Sequence, residues 1–188
     1  MRRLSPTCVL LICLAALTAF VQAQDKPLSV PTPPAATPTP PAAPQRTPRD
    51  FLEFFAGEWS GIGDFGTDKQ IESEITFTPE LDNQWLVYHQ TDRTTNYKTR
   101  GTLGVDRSSG QFVMILNDNF GGVRLFVSEG WANGKIVFER VAMSKPLTSQ
   151  ERFTFERRTD DSFRLAYETR RDGQATKIGN YLFSKKKK

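Results

Sequence analysis

Hydrophobic and polar side chains alternate along the second part of this chain in short, regularly spaced stretches. In one stretch, Ile71, Ile75 and Phe77 hold odd positions while glutamate and threonine hold the even ones. This period of two predicts a β-strand with one face in water. Similar stretches recur about every ten to twelve residues, which is typical of an all-β domain. We predict ten strands, at residues 59–65, 71–78, 84–92, 97–106, 111–118, 123–130, 135–142, 150–158, 162–170 and 175–184.

The connections between these strands are short enough for hairpins. Asn133-Gly134 is typical of a tight type I′ turn, and Asp172-Gly173 predicts the last hairpin. An antiparallel meander leaves two exposed edges unless its last strand pairs with its first. We therefore predict an all-β fold, an antiparallel up-and-down β-barrel of about ten strands. The alternative, a β-sandwich, needs longer crossings, and only residues 142–149 are long enough for one.

A short helix is predicted just before the first strand. The segment Thr47-Pro48-Arg49-Asp50 carries a helix-start signature, in which Thr47 is the cap, proline takes the first helical position and aspartate completes a capping box. Leu52 and Phe55 then share one face, and Gly57 is placed to end the helix. We expect this helix to plug or cover the barrel.

The first residues have the composition of an export signal. Arg2 and Arg3 precede an apolar run over residues 8–20, and Val21-Gln22-Ala23 supplies the small residues of a cleavage site. We predict a signal peptide at residues 1–23, cut after Ala23, and hence a periplasmic or secreted protein. The apolar run is shorter than the roughly 20 residues that span a bilayer, so we expect no stable membrane insertion after cleavage.

A proline-rich segment separates the signal from the barrel. Residues 26–48 contain nine of the twelve prolines, and all the Phe, Tyr and Trp residues except Phe20 follow residue 50. A segment without aromatic residues cannot bury a core, so we predict a disordered linker at residues 24–48 with polyproline character. The barrel domain is predicted at 49–184 and a basic tail at 185–188. The linker either spaces the domain from its neighbours or binds a proline-recognising module.

Charge and cysteine content limit the classes of function. Cys8 and Cys13 are the only cysteines, and both lie in the predicted signal peptide, so the mature chain has no disulfide and no thiolate metal ligand. The formal net charge is +4 and falls to +2 when Arg2 and Arg3 leave with the signal. Much of that excess lies at residues 185–188, which gives no reason to expect nucleic acid as a partner.

Four motifs occur in a characteristic order along the predicted barrel. They are Gly57, Trp59, Gly61 and Gly63 after the helix; Gly101-x-Leu103-Gly104-Val105-Asp106; Asn117-Asp118-Asn119-Phe120-Gly121; and Gly130-Trp131 with Asn133-Gly134. In this order and spacing, residues 50–184 resemble the DUF1579-type, lipocalin-like (calycin-related) proteins. The resemblance implies an antiparallel barrel of about ten strands. It implies no particular reaction, because that family has no settled activity.

Two further motifs have a structural explanation. Gly61-x-Gly63-x-x-Gly66 matches the dinucleotide fingerprint by letter, but that fingerprint needs a strand that turns into a helix, and here a strand follows. Small residues that let strands pack closely are the better interpretation. The segment 117–122 is rich in Asn, Asp and Gly, but Ser128 occupies the position where a calcium-binding loop needs glutamate. We interpret it as a turn capped by side chains.

His89 is the only histidine in the chain. Nitrobindin-like haem proteins are similar in architecture and hold iron through a histidine on a late strand, whereas His89 lies on an early strand. A lone histidine without cysteine cannot build the usual zinc site. We therefore predict no metal and no cofactor. His89 is interpreted as a core or lumen-lining residue, with general-base catalysis as the alternative.

The aromatic content exceeds what one face of ten short strands needs. We expect an interior with apolar walls and a few placed polar groups, the usual composition of small-molecule sites. The alternative is that the aromatic residues simply fill the barrel, and the register that decides between the two is left open by the sequence. The candidate ligand-binding residues are Trp59, Trp85, Tyr88, His89, Met114, Arg124, Phe126, Phe138, Arg140 and Tyr167.

These observations leave three hypotheses for function. The first is an exported lipocalin-like protein that binds a small, largely apolar molecule in the barrel lumen without changing it. The second is an envelope protein-interaction module on a proline-rich stalk. The third is a hydrolase or isomerase that uses His89 with a nearby carboxylate. We favour binding over catalysis, and the sequence predicts neither the ligand nor the oligomeric state.

Overall fold

The computed structural model describes residues 46–66, 69–143, 146–172 and 174–187. The predicted signal peptide and nearly all of the predicted linker lie outside these residues. The described part contains one helix and ten strands, and each strand begins and ends within two residues of its predicted limits. They are α1 (Arg49–Phe55), β1 (Gly57–Asp64), β2 (Ile71–Glu80), β3 (Trp85–Asp92), β4 (Lys98–Val105), β5 (Phe112–Asp118), β6 (Val123–Ser128), β7 (Lys135–Val141), β8 (Gln150–Thr159), β9 (Ser162–Arg171) and β10 (Gln174–Lys185).

The ten strands form a closed antiparallel barrel. Each strand pairs with its neighbours in the chain, and β10 pairs with β1 to close the sheet. The predicted meander and its closure are confirmed, and the β-sandwich alternative is wrong. Asn133 and Gly134 have φ angles of 53° and 72°, as the predicted type I′ turn requires. Because the sheet closes, none of these strands leaves a free edge.

The contact between β1 and β10 depends on two glycines. A Cβ atom on Gly61 would lie 2.4 Å from Cδ1 of Phe183, and one on Gly63 would lie 2.3 Å from the carbonyl oxygen of Asn180. Any larger residue would therefore push the closing strands apart. The glycine motif belongs to the barrel closure and not to a nucleotide site, as its position in a strand predicts.

The lysines at the end of the chain take part in the same closure. Lys185 is the last residue of β10, and its Nζ donates a hydrogen bond of 3.2 Å to the carbonyl oxygen of Phe54. That Nζ also lies 5.1 Å from the centre of the Trp59 ring, in cation–π range. The Lys186 ammonium lies 3.1 Å from the Glu74 carboxylate. Lys185 and Lys186 therefore bind the barrel wall.

The helix α1 plugs one end of the barrel, as predicted, but its ends differ from the prediction. Pro48 is the N-cap residue and no side chain caps the helix. The Thr47 hydroxyl instead donates to the Gln84 carbonyl oxygen (2.6 Å) and accepts from the Val105 amide (3.0 Å). It thus ties the segment before α1 to two strand ends. Gly57 does not end the helix; with φ of +123° it starts β1.

Aromatic side chains fill the half of the barrel next to α1. The Phe55 ring packs against Phe77 and Phe163 with ring centres 5.2 and 5.3 Å apart. Burying one such side chain contributes roughly 1.5–3 kcal/mol. We call this region the closed half; it comprises α1 and the following side chains, none more than 3% exposed: Trp59, Phe77, Phe112, Phe126, Phe138, Phe155, Phe163 and Phe183.

Candidate functional site

The other end of the barrel contains an open cavity of about 610 Å³. This volume lies within the roughly 300–1,000 Å³ that small-molecule sites occupy. Its apolar walls are formed by Phe65, Ile71, Leu116, Phe120, Phe153 and Leu165. Its tyrosines are Tyr88, Tyr97, Tyr167 and Tyr181, and its other polar groups include Gln90, Asp92, Thr99, Asp118 and Arg124. We call this region the open half.

The register of β3 decides which of its side chains face this cavity. Leu86, Tyr88, Gln90 and Asp92 are buried, and His89 and Thr91 between them are exposed. Successive side chains of a strand point to opposite faces, so the buried row faces inward. The sequence alternation Tyr-x-Gln-x-Asp thereby carries polar groups into the barrel near its open end.

Arg124 lies at the centre of a charged network. Its Nη1 lies 3.2 Å from Oε2 of Glu151, and its Nη2 lies 3.1 Å from Oδ2 of Asp118. The same Nη2 donates a hydrogen bond of 2.8 Å to the Tyr97 hydroxyl. Only 14% of the Arg124 side chain is exposed. Removing one partner of such a buried pair leaves an uncompensated charge, which is strongly unfavourable.

Glu151 connects Arg124 to two further side chains. Its Oε1 accepts a hydrogen bond from Arg140, and its Oε2 accepts one of 3.1 Å from the Tyr167 hydroxyl. Arg124 and Arg140 therefore balance Asp118 and Glu151, two positive charges against two negative ones. The network holds its side chains in place and adds no net charge to the cavity.

A second polar group surrounds Asp92, which is 1% exposed. Nε2 of Gln90 donates to Oδ1 of Asp92 (2.8 Å) and to Oγ of Ser73 (3.0 Å). The Tyr88 hydroxyl donates to Oε1 of Gln90. The Tyr181 hydroxyl lies 3.4 Å from the other Asp92 oxygen. This chain of hydrogen bonds orients both tyrosine hydroxyls at the cavity wall.

Burial keeps Tyr88, Tyr167 and Tyr181 in their protonated form at neutral pH. It raises the pKa of Tyr88 well above the ordinary value. Burial also raises the pKa of Tyr167, with help from the Glu151 charge, and the pKa of Tyr181, with help from Asp92. Although burial alone would lower it, Tyr97 and Glu151 raise the pKa of the Arg124 guanidinium. The site therefore offers hydroxyl donors and a permanently charged guanidinium at neutral pH.

Three of the ten predicted site residues line the cavity: Tyr88, Arg124 and Tyr167. Arg140 lies beside Arg124 and binds Glu151, without lining the cavity. Four others point inward but are fully buried in the packed interior, namely Trp59, Met114, Phe126 and Phe138. These four side chains fill the barrel. For them, the alternative prediction of a packed interior is the one that the structure shows.

The two remaining predicted residues, Trp85 and His89, need correction, because they lie on the outer face of β3. His89 is exposed and pairs in register with Thr76 and Arg100 on the neighbouring strands. Trp85 packs over Gly104, where a Cβ atom would lie 2.7 Å from its ring. Because the inward row of this strand begins at Leu86, every odd position faces outward. A catalytic role for His89 inside the barrel is therefore excluded.

Six polar residues that surround the cavity were not predicted from the sequence as site residues: Gln90, Asp92, Tyr97, Asp118, Glu151 and Tyr181. Asp118 was predicted only as part of a turn. Its Oδ1 does accept hydrogen bonds of 3.0 Å from the amides of Phe120 and Gly122, while Oδ2 binds Arg124. The available signal was the spacing of two that connects Tyr88, Gln90 and Asp92.

Across residues 46–66, 69–143, 146–172 and 174–187, no group of three or more His, Cys, Asp or Glu residues is arranged to hold a metal ion. The same residues include no helix that is both apolar and long enough to cross a bilayer.

Comparison with known proteins finds similarity in fold. No model of a known protein family matches the chain, and no curated protein matches it. A de novo designed fluorescence-activating β-barrel has 12% sequence identity and a TM-score of 0.40, covering 73% of this chain and 98% of the design. The S-type phycobiliprotein lyase CPES from Guillardia theta has 10% identity and a TM-score of 0.46, covering 77% of this chain and 95% of the lyase. These values are too low to transfer a ligand or an activity, and the likeness to DUF1579-type proteins stays a prediction.

Proposed function

We propose that this chain is an exported, lipocalin-like protein that binds a small, largely apolar molecule in the open half of its barrel. The observation that carries the proposal is the cavity of about 610 Å³. The closed half has its interior filled by side chains, whereas the open half keeps an accessible space. A barrel that served only as a scaffold for a protein interaction would gain stability from filling this space.

The walls of the cavity suit a ligand that is apolar over most of its surface. Phe65, Phe153 and Leu165 present apolar surface on one part of the wall, and Leu116 presents it on another. Each square ångström of apolar surface removed from water contributes about 25 cal/mol. The hydroxyl and amide groups between them provide orientation, because a ligand that lacks matching polar atoms leaves them unpaired.

The polar groups of the cavity are held in place before any ligand binds. Arg124 is fixed by three side-chain partners, and Asp92 by two. Such preorganisation reduces the entropy lost on binding. It favours reversible binding of a molecule with a defined shape over loose adsorption.

Export belongs to the same proposal. The basic, apolar and small-residue segments at 1–23 support a signal peptide, and the proline content of 24–48 supports a spacer before the barrel. The ordered motifs between residues 50 and 184 support membership of the DUF1579-type proteins. The barrel would then act in the periplasm or outside the cell, where it could carry or sequester its ligand.

A pair of tryptophan substitutions on one strand tests the proposal. Leu116 on β5 faces the cavity, whereas its neighbour Ile115 is 38% exposed on the outer face. The probe is the neutral apolar dye N-phenyl-1-naphthylamine, whose fluorescence rises when it is buried. Leu116→Trp fills part of the cavity and should weaken dye binding about tenfold or more, which corresponds to at least ~1.4 kcal/mol. Ile115→Trp should bind the dye as the unmodified protein does.

The result also separates the proposal from its main alternative. Equal dye binding by both variants would place the dye outside the cavity. No dye binding by the unmodified protein, together with a clean ligand-free mass in gentle native mass spectrometry of the exported protein, would favour the protein-interaction module. Thermal unfolding of both variants confirms that each retains the barrel.

A further inference from the structure

Asp92 differs from the other buried acidic residues near the cavity in having no cationic partner. Asp118 and Glu151 both bind Arg124, and Glu151 also binds Arg140. No ion pair to Asp92 forms within the described residues 46–66, 69–143, 146–172 and 174–187. Its two partners, Gln90 and Tyr181, are neutral donors. A buried charge without a counter-charge is costly unless something else compensates it.

Asp92 is one of the residues that line the cavity, and its side chain is buried in the cavity wall. A carboxylate has about four acceptor positions, and each Asp92 oxygen receives one side-chain hydrogen bond. Neither oxygen receives a further side-chain hydrogen bond from the described residues, so each keeps acceptor capacity. Because the carboxylate is 1% exposed, water and salt only weakly screen its attraction for a cation in the cavity.

Charge counting gives the same preference. Among the described residues, the two arginines of the network cancel Asp118 and Glu151, which leaves the Asp92 carboxylate as an uncompensated negative charge beside the cavity. Lys69 also lines the cavity, but it is exposed at the open end, where water and salt screen its charge. The interior of the site is therefore suited to a positive ligand and unfavourable to a second carboxylate.

The walls around Asp92 provide a further attraction for cations. Phe65 stacks edge-on against Tyr167 and Tyr181, with ring centres 5.6 and 5.9 Å apart. Tyr88, Tyr97 and Phe153 add further rings to the lining. The faces of aromatic rings carry partial negative charge and attract ammonium groups. Aromatic rings combined with one carboxylate form the typical environment for an organic cation.

We propose that the ligand of this barrel is a cationic amphiphile, whose amine or ammonium group binds Asp92 while its apolar part lies against the remaining walls. This inference rests on the proposed binding function and adds the charge class of the ligand. It assigns to Asp92 the recognition of that charge, and to the neighbouring tyrosine rings the stabilisation of its alkyl substituents.

Three probes with the same tail and different head groups test the proposal: decyltrimethylammonium, decanol and decanoate. Each competes with N-phenyl-1-naphthylamine for the unmodified protein, below its micelle concentration. A trimethylammonium group donates no hydrogen bond, but its charge is attracted by the Asp92 carboxylate and by the ring faces. The ring faces alone attract a desolvated cation by about 2 kcal/mol, so decyltrimethylammonium should bind about tenfold or more tightly than decanol. Decanoate should bind more weakly than decanol.

Substitution of Asp92 identifies the residue responsible. Asp92→Asn keeps the shape of the side chain and should remove most of the preference for decyltrimethylammonium over decanol, because the aromatic rings remain, while leaving decanol affinity unchanged. Glu80→Gln is the matched control. Glu80 is exposed at the end of β2 near α1, so this substitution removes the same charge far from the cavity. It should retain the full preference.

The outcomes separate this inference from the function on which it rests. Equal binding of the three probes, tightest binding of decanoate, or a preference unchanged by Asp92→Asn would overturn the cationic ligand but leave the binding function intact. Failure of every probe, including the dye, would overturn the binding function itself. If Asp92→Asn does not fold, the ranking of the three head groups on the unmodified protein still decides.

Discussion

The two halves of this barrel are built from the same strands but have opposite interiors. The inner row of β9 runs from Phe163 through Leu165 to Tyr167, that is, from the closed half to the open half. Phe163 is fully buried among other rings, whereas Tyr167 faces the cavity and donates to Glu151. One strand thus changes within four residues from filling space to bordering it.

The difference follows from the chemistry of the side chains. Phenylalanine has no polar atom, so rings from α1 and several strands can meet in the closed half without unsatisfied groups. Tyrosine, glutamine and the charged residues of the open half each need a hydrogen-bond partner when buried. Their partners hold them against the wall, and the centre stays empty. The closed half therefore supports the fold, and the open half is free to bind.

The largest expected effect comes from Phe163→Ala in the closed half. The Phe163 ring lies 4.9 Å from Trp59 and 5.0 Å from Phe183, and its loss leaves a cavity that packed neighbours cannot close. We expect the free energy of unfolding to fall by about 3–5 kcal/mol in urea titration. Tyr167→Ala on the same inner row should cost about 1–2 kcal/mol, because water reaches its place. Equal costs would break the distinction between the halves.

The next largest effect is expected from a substitution in the charged network. It tests whether charge pairs stabilise the open half, as packing stabilises the closed half. Glu151→Gln leaves Arg124 and Arg140 facing a neutral group. Since Arg140 is 26% exposed, water offsets part of the loss, and we expect about 2–3 kcal/mol. Glu139→Gln is the control: Glu139 binds Arg152 on the surface and is 49% exposed, so it should cost under about 1 kcal/mol. Similar values for both would mean that the network is not structural.

Alkaline pH should weaken the open half through its tyrosines. The folded-state pKa of Tyr181 is raised by burial and then by Asp92, so its contribution to stability is complete below the unfolded pKa near 10. The contribution is lost as the pH rises from there toward the folded value, with a slope of about 1.4 kcal/mol per pH unit for one group. Half of the unfolded chains are already ionised at pH 10, so Tyr181→Phe should reduce the slope of stability between pH 10 and 11 by about 1 kcal/mol per pH unit. An unchanged slope would show that Tyr181 ionises normally in the folded barrel.

The strands and their closure could be predicted because turns and alternation are local signals. Asn133-Gly134 sets a hairpin by its own backbone preferences, and the stretch from Ile71 to Phe77 shows its wet face directly. Even the closing strands are indicated by Gly61 and Gly63, where close packing needs small residues.

The cavity lining could not be predicted in the same way, because it reverses the rule that polar residues face water. On β3, Gln90 and Asp92 look like solvent-facing residues by type, yet both are buried. His89 and Trp85 look like site residues by type, yet both lie outside. The choice between two faces of a strand depends on register with its neighbours, which is a property of the whole barrel. Type alone therefore selected the wrong face for these residues.

The outer wall provides the reference for both halves, and the smallest expected effect lies there. The Lys186 hydrogen bond, followed by the charges of Lys186 and Arg93, lowers the pKa of Glu74 below its ordinary 4.5. A lowered folded pKa contributes stability that is present above about pH 4.5 and lost as the pH falls through the folded value. Because Glu74 is 39% exposed, solvent screening limits the contribution to about 0.5 kcal/mol or less.

Glu74→Gln should therefore lower stability slightly at pH 7, and the difference from the unmodified protein should vanish at pH 2–3 in urea titration. A loss approaching that of Glu151→Gln would show that the contact of Lys186 with Glu74 holds the barrel closed as firmly as its interior does.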